Sequence, residues 1–545
     1  MKTVIGFGAT LLLALAYLLN LGSPYAPTNG DEMVYLHIAR LTSESGHWLP
    51  LVSDLQTPTG SEMRNTKPPF LFWQAMFAGQ WGWDLFTLRL PYVLETLLTA
   101  GLVGWLANKL IGVRTQLKTG LLAAAFYLGF FATYRYGRPA LSSSIESLFL
   151  FAVCTRCIIT LPSWKAYPIK LAVVSGLLMI PALFAKSFVL AAPVGLWLFM
   201  SVWALNDAKP SFQKFWHSAW PAVIAVVIGV AGFALWFAID PDPSSVWREF
   251  VIGENFSTKF SASSDSIFAI GLSPFLNAGL LAPLVIGLGI AALQTALLAN
   301  RDKAGASAQS LLWLWVLAWL VVFSLPSARS ARYVIPMMPA LAVLLALYAD
   351  RIHRIWWMLT LSLIAVATAS LGWIAWCLDG VFAEGTGYSP FYFALLALLV
   401  LVCAAGLVQA KWRVTCTAGG AVAWLALLGA MAAPFDAPSN QYSVAIKAQL
   451  AGQKISVPQN FNAQFERFKF IFPASQPLPY EASTGLPTSV AKDDIIASRW
   501  VLRSRHAAGE VTWAALSSKQ GVQRLLTERE VLAQTFGEVL IGTKK

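Results

Sequence analysis

The sequence predicts an all-α polytopic membrane bundle of about thirteen helices, followed by a small α/β domain, and three observations carry that prediction. Hydrophobic residues make up 57% of the 545 residues and charged residues only 12%, with a mean hydropathy of +0.61, a composition suited to a bilayer as solvent. Apolar windows long enough to cross that bilayer recur along the first four-fifths of the chain. The basic residues gather in alternate short loops, which is how orientation in a membrane is encoded. In a soluble chain a net charge of +12 would point to nucleic acid. Here the charge is divided among those loops, so no nucleic-acid surface is expected.

The windows run over 4–21, 88–108, 119–134, 140–162, 168–185, 187–205, 216–239, 276–299, 309–325, 333–349, 355–377, 388–408 and 413–433. A signal peptide is the alternative reading of 4–21. No clear small-x-small cleavage site follows it and further spans do, which favours a first span. Residues 70–86 are interrupted by Gln74, Gln80 and Asp84, and 267–275 carries Pro274 before a window already long enough. Both are expected to lie in the interface or to be re-entrant.

Loop charge tests the count. With thirteen spans the inside segments hold fifteen basic residues against three acidic ones, Asp207, Asp302 and Asp350, whereas the outside loops hold eleven against thirteen. Treating 70–86 as a span would move the basic 109–118 loop outside and destroy the pattern. The amino terminus is therefore expected in the cytoplasm and the tail outside, in a multi-pass protein of a bacterial inner membrane. Residues 1–433 form the membrane domain, with 22–87 as its first outer loop, and 434–545 form the outer soluble domain. Within that tail, Lys454–Val457 and Trp500–Leu502 alternate like strands, while Gln520–Thr535 has helical spacing. The five cysteines lie in or beside apolar runs, so no disulfide framework is expected, and Cys154-x2-Cys157 reads as ordinary helix sequence. No transporter-type repeat is visible.

Chemistry concentrates in the first outer loop. Met33 to Leu41 places Val34, Ile38 and Leu41 on one helical face, so the segment can lie on the membrane with Asp31 and Glu32 at its amino-terminal end. Helix capping is the bland account of those carboxylates. Lys67 precedes two prolines that hold the backbone extended, and a rigidly presented ammonium suits a phosphate. Arg135, Arg138, Arg248, Lys259, Arg329 and Arg332 occupy other outer loops, where arginines at span ends also snorkel to headgroups. Lys186 stands alone between two apolar spans, at a depth where a cation needs a partner. Together these residues outline a phosphate-diester site at the membrane edge.

Two stretches, GDEMVYLHIARLTSESGHWLP at 30–50 and NTKPPFLFWQAMFAGQWGWDLFTLRLP at 65–91, resemble the amino-terminal signature of the lipid A aminoarabinose transferases. They also resemble the wider protein O-mannosyltransferase-like family of polyprenyl-phosphate-dependent glycosyltransferases. Looser matches follow in order: ALFAKSFVLAAP at 182–193, ENFSTKF at 254–260 and FSLPSARSARYVIPMMPALAVL at 323–344. The resemblance implies a GT-C bundle that transfers a sugar from a polyprenyl phosphate to an acceptor on the outer face. Asp31 matches the first-loop aspartate proposed to activate the acceptor, and Glu32 its neighbour. Lys67 matches a lysine thought to contact donor phosphate, and Lys186, Lys259 and Tyr333 fall at positions associated with phosphate or donor binding. Arg138, Arg329 and Arg332 complete the expected donor-binding cations.

The sequence departs from the family twice. The second-loop aspartate is missing, leaving Glu146 as its substitute one turn later or the role lost. Lys259 stands where an arginine is usual, which forfeits a bidentate grip.

The expected activity is therefore glycosyl transfer from a polyprenyl (undecaprenyl) phosphate sugar to lipid A, another glycolipid or a protein hydroxyl. Cationic clamps on the phosphate and a carboxylate to take the acceptor's proton suffice for it. No cofactor is required and no metal site is expected, a divalent ion staying open. The same cations would also suit a transporter or flippase for a lipid-linked sugar. Transporters, however, place charges at midplane on broken helices, and here they sit on one face.

Overall fold

The computed structural model of the protein describes residues 2–23, 30–53, 64–65, 67–111, 116–160, 167–206, 209–257, 268–298, 307–379 and 387–431, and scattered positions of the tail. Helices dominate. In chain order they are α1 (Lys2–Leu18), α2 (Gly30–Glu44), α3 (Phe70–Gly79), α4 (Leu85–Ile111), α5 (Gln116–Gly129), α6 (Phe131–Gly137), α7 (Ser142–Ile159), α8 (Pro168–Ala185), α9 (Ala191–Leu205) and α10 (Phe212–Ile239). A short α11 (Pro243–Ser245) leads into a π-helical segment over Val246–Ser257. Then come α12 (Phe268–Gly271), α13 (Ser273–Ala278), α14 (Ala282–Leu298), α15 (Ala308–Ser324), a 3₁₀ segment over Ala331–Met337, α16 (Met338–Leu347), α17 (Arg354–Asp379), α18 (Pro390–Val408) and α19 (Arg413–Ala430).

Each of the thirteen apolar windows falls on helix. Among the described residues nine helices are long and apolar enough to cross a membrane. The other four windows fall on α1, α5, α15 and the run Ala331–Leu347, which are shorter. The two interrupted stretches are short helices: ten residues for α3, which Pro69 precedes, and α12 with α13 where 267–275 was expected to lie in the interface.

Small residues let the helices approach closely, as is usual where lipid gives no hydrophobic drive to pack. A Cβ on Gly104 of α4 would lie 2.8 Å from the carbonyl oxygen of Gly120 on α5, so an alanine there would push the two backbones apart. Gly279, between α13 and α14, has φ +60° and would place a Cβ 2.6 Å from that of Phe131. A left-handed turn against a ring leaves room only for glycine. Buried aromatic side chains fill the centre, with Trp197 edge-to-face on Trp315 and Trp315 tilted against Trp319, at ring separations of 5.0 and 5.9 Å.

The first outer loop forms its own small core. Met33, Leu36, Ile38 and Ala39 of α2 pack on Leu71, Phe72, Ala75 and Met76 of α3 and on Leu88 and Tyr92 of α4. The membrane-facing stripe expected from the sequence is thus shifted: Ile38 is buried, Val34 and Leu41 only partly so, and the helix leans on protein. Tyr92 donates a hydrogen bond to the Leu71 carbonyl at 2.7 Å, closing this unit on α4.

In the tail, strands β1 (Lys454–Gln459), β2 (Gln476–Glu481), β3 (Ile495–Ala497) and β4 (Ile541–Thr543) form one sheet in the order β2-β1-β3-β4. β1 runs parallel to β2 and β3, and β3 antiparallel to β4. The strand expected at Lys454–Val457 is β1. Trp500–Leu502 and Gln520–Thr535 lie outside the described residues.

Candidate active site

Two lysines and two glutamates line one cavity at the end of the bundle where α2, α3 and the α8–α9 break lie. Its volume is about 110 Å³, and its walls include Lys67, Glu146, Lys186, Ser187, Glu254 and Asn255, with Phe323 and Tyr333 as the aromatic side. Six separate segments supply these groups, with Phe323 on α15 and Tyr333 on the 3₁₀ segment. Lys67 precedes the prolines that start α3, Glu146 lies in the second turn of α7, and Lys186 and Ser187 occupy the break between α8 and α9. Glu254 and Asn255 come from the π-helical segment, a rare geometry often found at functional sites.

The break at Lys186 is built locally. Lys186 ends α8 with its amide bonded to the Ala182 carbonyl, and Ser187 caps the next turn by accepting from the Val189 amide. Ser187 also donates to Asn255 Oδ1 at 2.8 Å, and Asn255 Nδ2 donates to the Phe250 carbonyl at 2.9 Å. These bonds tie the α8–α9 turn to the π-helical segment across the cavity.

Every charge in the cavity has an opposite neighbour. Lys67 Nζ lies 2.7 Å from Glu254 Oε1, and Lys186 Nζ lies 2.9 Å from Glu146 Oε1. Ser142 donates to the same Glu146 oxygen at 2.7 Å, and Lys186 reaches Ser142 Oγ at 3.3 Å. Glu146 is almost wholly buried while Lys186 is a fifth exposed, so the ammonium is the group turned toward the opening.

A second pair stands near the cavity, outside its walls. Arg332 Nη1 donates to Asp31 Oδ2 at 2.6 Å, joining the first turn of α2 to the 3₁₀ segment that carries Tyr333. Tyr35, one turn along α2, lies within electrostatic reach of Asp31, Arg332, Glu254 and Glu146. Burial first, and the Asp31 charge second, push its phenol well above the ordinary range, so it stays a neutral O–H group.

Glu32 and Arg138 lie elsewhere, in buried structural networks. Arg89 grips Glu32 with two bonds, Nε to Oε1 at 2.7 Å and Nη2 to Oε2 at 2.8 Å, and its Nη1 donates to the carbonyls of Leu21 and Ser23. The Ala140 amide donates to Glu32 as well, at 2.9 Å. Arg138 donates to the carbonyls of Tyr17 and Leu19 and to the Tyr134 hydroxyl. Both side chains pin the end of α1 to the outer loops. Neither lines the cavity.

Arg329 donates to the Ser324 carbonyl at 3.2 Å, on the loop that supplies Pro326 and Ala328 to the cavity wall. Lys259 lies outside the described residues. Among the described residues no cluster of His, Cys, Asp and Glu stands close enough to hold a metal ion.

Reasoning from the sequence missed Glu254, Asn255, Ser187 and Tyr35 as members of this constellation. Glu254 and Asn255 begin the ENFSTKF stretch, where attention went to Lys259. The isolated Lys186 was the available signal for a nearby carboxylate, since a cation at that depth requires one.

No family model matches the chain. Among curated proteins, the undecaprenyl phosphate-alpha-4-amino-4-deoxy-L-arabinose arabinosyl transferase of Erwinia tasmaniensis is 28% identical over 356 residues, covering 63% of this chain and 59% of the relative. The enzyme of the same description from Yersinia enterocolitica is 28% identical over 360 residues, covering 64% and 60%. This chain thus spans about three-fifths of the length of the relatives it matches. Among solved structures, ArnT from Cupriavidus metallidurans bound to undecaprenyl phosphate aligns with a TM-score of 0.62 at 18% identity, over 95% of this chain and 96% of that one. Its apo form gives the same TM-score at 16% identity. The fold is that of these GT-C membrane proteins, and the resemblance read from the first loop is borne out.

Proposed function

We propose that the chain is an integral-membrane glycosyltransferase that moves a sugar from a polyprenyl (undecaprenyl) phosphate to an envelope acceptor such as lipid A, on the periplasmic face of the inner membrane. The carrying observation is the cavity in which Lys67 and Lys186 meet, each already paired with a carboxylate. Two ammonium groups in a confined, partly desolvated space suit a phosphate diester, and their glutamates hold them in place until it arrives. The names of the relatives point the same way, as does undecaprenyl phosphate bound to a protein of this fold.

In the transfer, an acceptor oxygen attacks the anomeric carbon. The bond from that carbon to the phosphate oxygen breaks, and the electron pair leaves on the phosphate. Lys67 and Lys186 match the charge that gathers there. Asp31, held by Arg332 beside the cavity, takes the acceptor's proton if the acceptor is a hydroxyl, and orients the acceptor if it is itself a phosphate. Glu146, seated against Lys186, fills the place of the second-loop aspartate that the family resemblance leads one to expect. Glu32, Arg138 and Arg89 keep this floor rigid. The amino terminus is assigned to the cytoplasm and the tail to the periplasm on the bias of the loop charges.

Mass spectrometry of envelope lipids from cells with and without the gene tests the reading directly. The expected result is a glycolipid species, heavier by one sugar, that disappears with the gene and returns with the wild-type copy only. Identical lipid profiles, together with a failure of the purified protein to consume an undecaprenyl-phosphate sugar, would refute it.

A further inference from the structure

The bundle carries a second, larger cavity at the end remote from Lys67. It holds about 540 Å³ and is lined by Arg351, His353, Arg354 and Arg413, by Asp350 as the lone acid, and by Trp356 and Trp357. Chain path fixes its place. α16 leaves the 3₁₀ segment that supplies Tyr333 to the first cavity and ends at Leu347, just before Asp350. α14 begins near that same segment, where Asn277 of α13 bonds the Ala331 carbonyl, and about 18 Å of helix separate Ala282 from Gln294 in the wall of the second cavity. The two cavities therefore lie toward opposite ends of α14 and α16.

The chemistry of this second cavity is that of an anion site beside lipid. Three arginines face one aspartate, and α17 and α19 both begin at it, with Arg354 and Arg413 as first residues. The amide groups of a helix start add to the positive potential. Among the described residues the Arg413 side chain is held only by a long contact, Nη2 to the Leu407 carbonyl at 3.5 Å. The flanks are apolar and open: Ile290, in the wall, is 41% exposed, and Leu297, Val408 and Trp412 stand beside the mouth at 76%, 83% and 50%. Such surfaces suit acyl chains, with the tryptophan at headgroup level.

We propose that this cavity binds a phosphate-bearing anion, and that its source is the headgroup of an anionic phospholipid in the cytoplasmic leaflet. Arg351, Arg354 and Arg413 surround the phosphate, and the acyl chains lie along the exposed faces of α14 and α18. A loose basic surface would attract anionic lipid in proportion to its charge. A built cavity retains one molecule on these particular side chains.

Native mass spectrometry of the full-length protein, released from detergent with phosphatidylglycerol, phosphatidylethanolamine or inorganic phosphate added, tests this. The expected result is one phosphatidylglycerol retained in preference to phosphatidylethanolamine, with affinity falling about fivefold or more for each of Arg351→Gln and Arg413→Gln. Lys411→Gln removes the same charge from the same loop outside the cavity wall and should leave retention unchanged. Arg413→Lys keeps the charge, guards against a folding artefact, and should retain lipid more weakly than wild type. Saturable binding of inorganic phosphate that the arginine variants abolish, with no lipid preference, would keep the anion site but overturn the lipid source. Equal retention of both lipids without arginine-dependent binding of inorganic phosphate, or equal losses for Lys411→Gln and Arg413→Gln, would overturn the site.

Discussion

Replacing Asp31 by Asn separates chemistry from architecture, because the change keeps size and hydrogen-bonding capacity while removing the charge. Asp31 sits in the first turn of α2 and accepts from Arg332 at 2.6 Å, with side-chain exposures of 18% for Asp31 and 36% for Arg332. A pair this open to solvent is worth at most about 1 kcal/mol after screening. Asn is itself among the best residues at a helix start. The stability cost should therefore be small, below about 4 °C in melting temperature for a chain of this size. If Asp31 takes the acceptor's proton or orients the acceptor, turnover should fall by roughly 10²-fold or more. The assay is single-turnover consumption of an undecaprenyl-phosphate sugar by purified protein, with thermal unfolding followed on the same sample. Near-native transfer by a folded Asp31→Asn protein would leave helix capping and the Arg332 tie as its whole role. A loss matched by a large drop in melting temperature would remove the chemical argument as well.

Lys67→Ala should raise the apparent KM for the donor more than Lys67→Arg, since a second cation partly restores the phosphate contact; equal, near-native KM values for both would take Lys67 out of the site. Glu32→Ala should destabilise the protein by about 3–5 kcal/mol, because it strands the fully buried Arg89; a melting temperature close to native would contradict the structural role given to that pair. Glu146→Gln should lower turnover if Glu146 fills the role of the missing second-loop aspartate, and should leave the turnover number unchanged if it only holds Lys186. Reporter fusions at Ser439 and Ser307 should place the first outside and the second inside, and the same answer from both would sink the assigned topology.

The fold was legible in the sequence because hydropathy in a bilayer is a strong signal: each apolar window falls on helix, and the interruptions by polar Gln74 and by Pro274 mark short ones. The positions of Lys67, Glu146 and Lys186 in one cavity were readable in outline, since a charge amid apolar residues is expensive unless it is partnered. The identity of the partners was not. Lys67 meets Glu254 at a sequence separation of 187, and Asp31 meets Arg332 at one of 301; no local pattern encodes such pairings. The same difficulty explains Glu32 and Arg138. Beside Asp31, and in an outer loop rich in arginine, both looked like site residues. Only the three-dimensional path shows that Arg89 and the carbonyls at the end of α1 consume them.

The charge balance within the first cavity bears on what it can bind. With Lys67 matched by Glu254 and Lys186 by Glu146, the empty site is neutral. A phosphate diester entering it brings one excess negative charge, and must either draw the lysines away from their glutamates or share them. Sharing is costly at close range, where like charges repel in a partly desolvated space. A ligand that carries a cation along with its phosphate avoids the conflict, since the phosphate can take the ammonium groups while its own cation faces the glutamates. On the proposed function, this arrangement should favour a donor with a basic group on the sugar, and Glu254, a third exposed where Glu146 is buried, is the side chain on which that prediction rests. Glu254→Gln should accordingly improve binding of a neutral-sugar polyprenyl phosphate and weaken that of an amino-sugar one. Competition between the two donors in one reaction would read the ratio directly. If the substitution moved both affinities in the same direction and to the same extent, Glu254 would be a tether for Lys67 and would have no part in choosing the sugar.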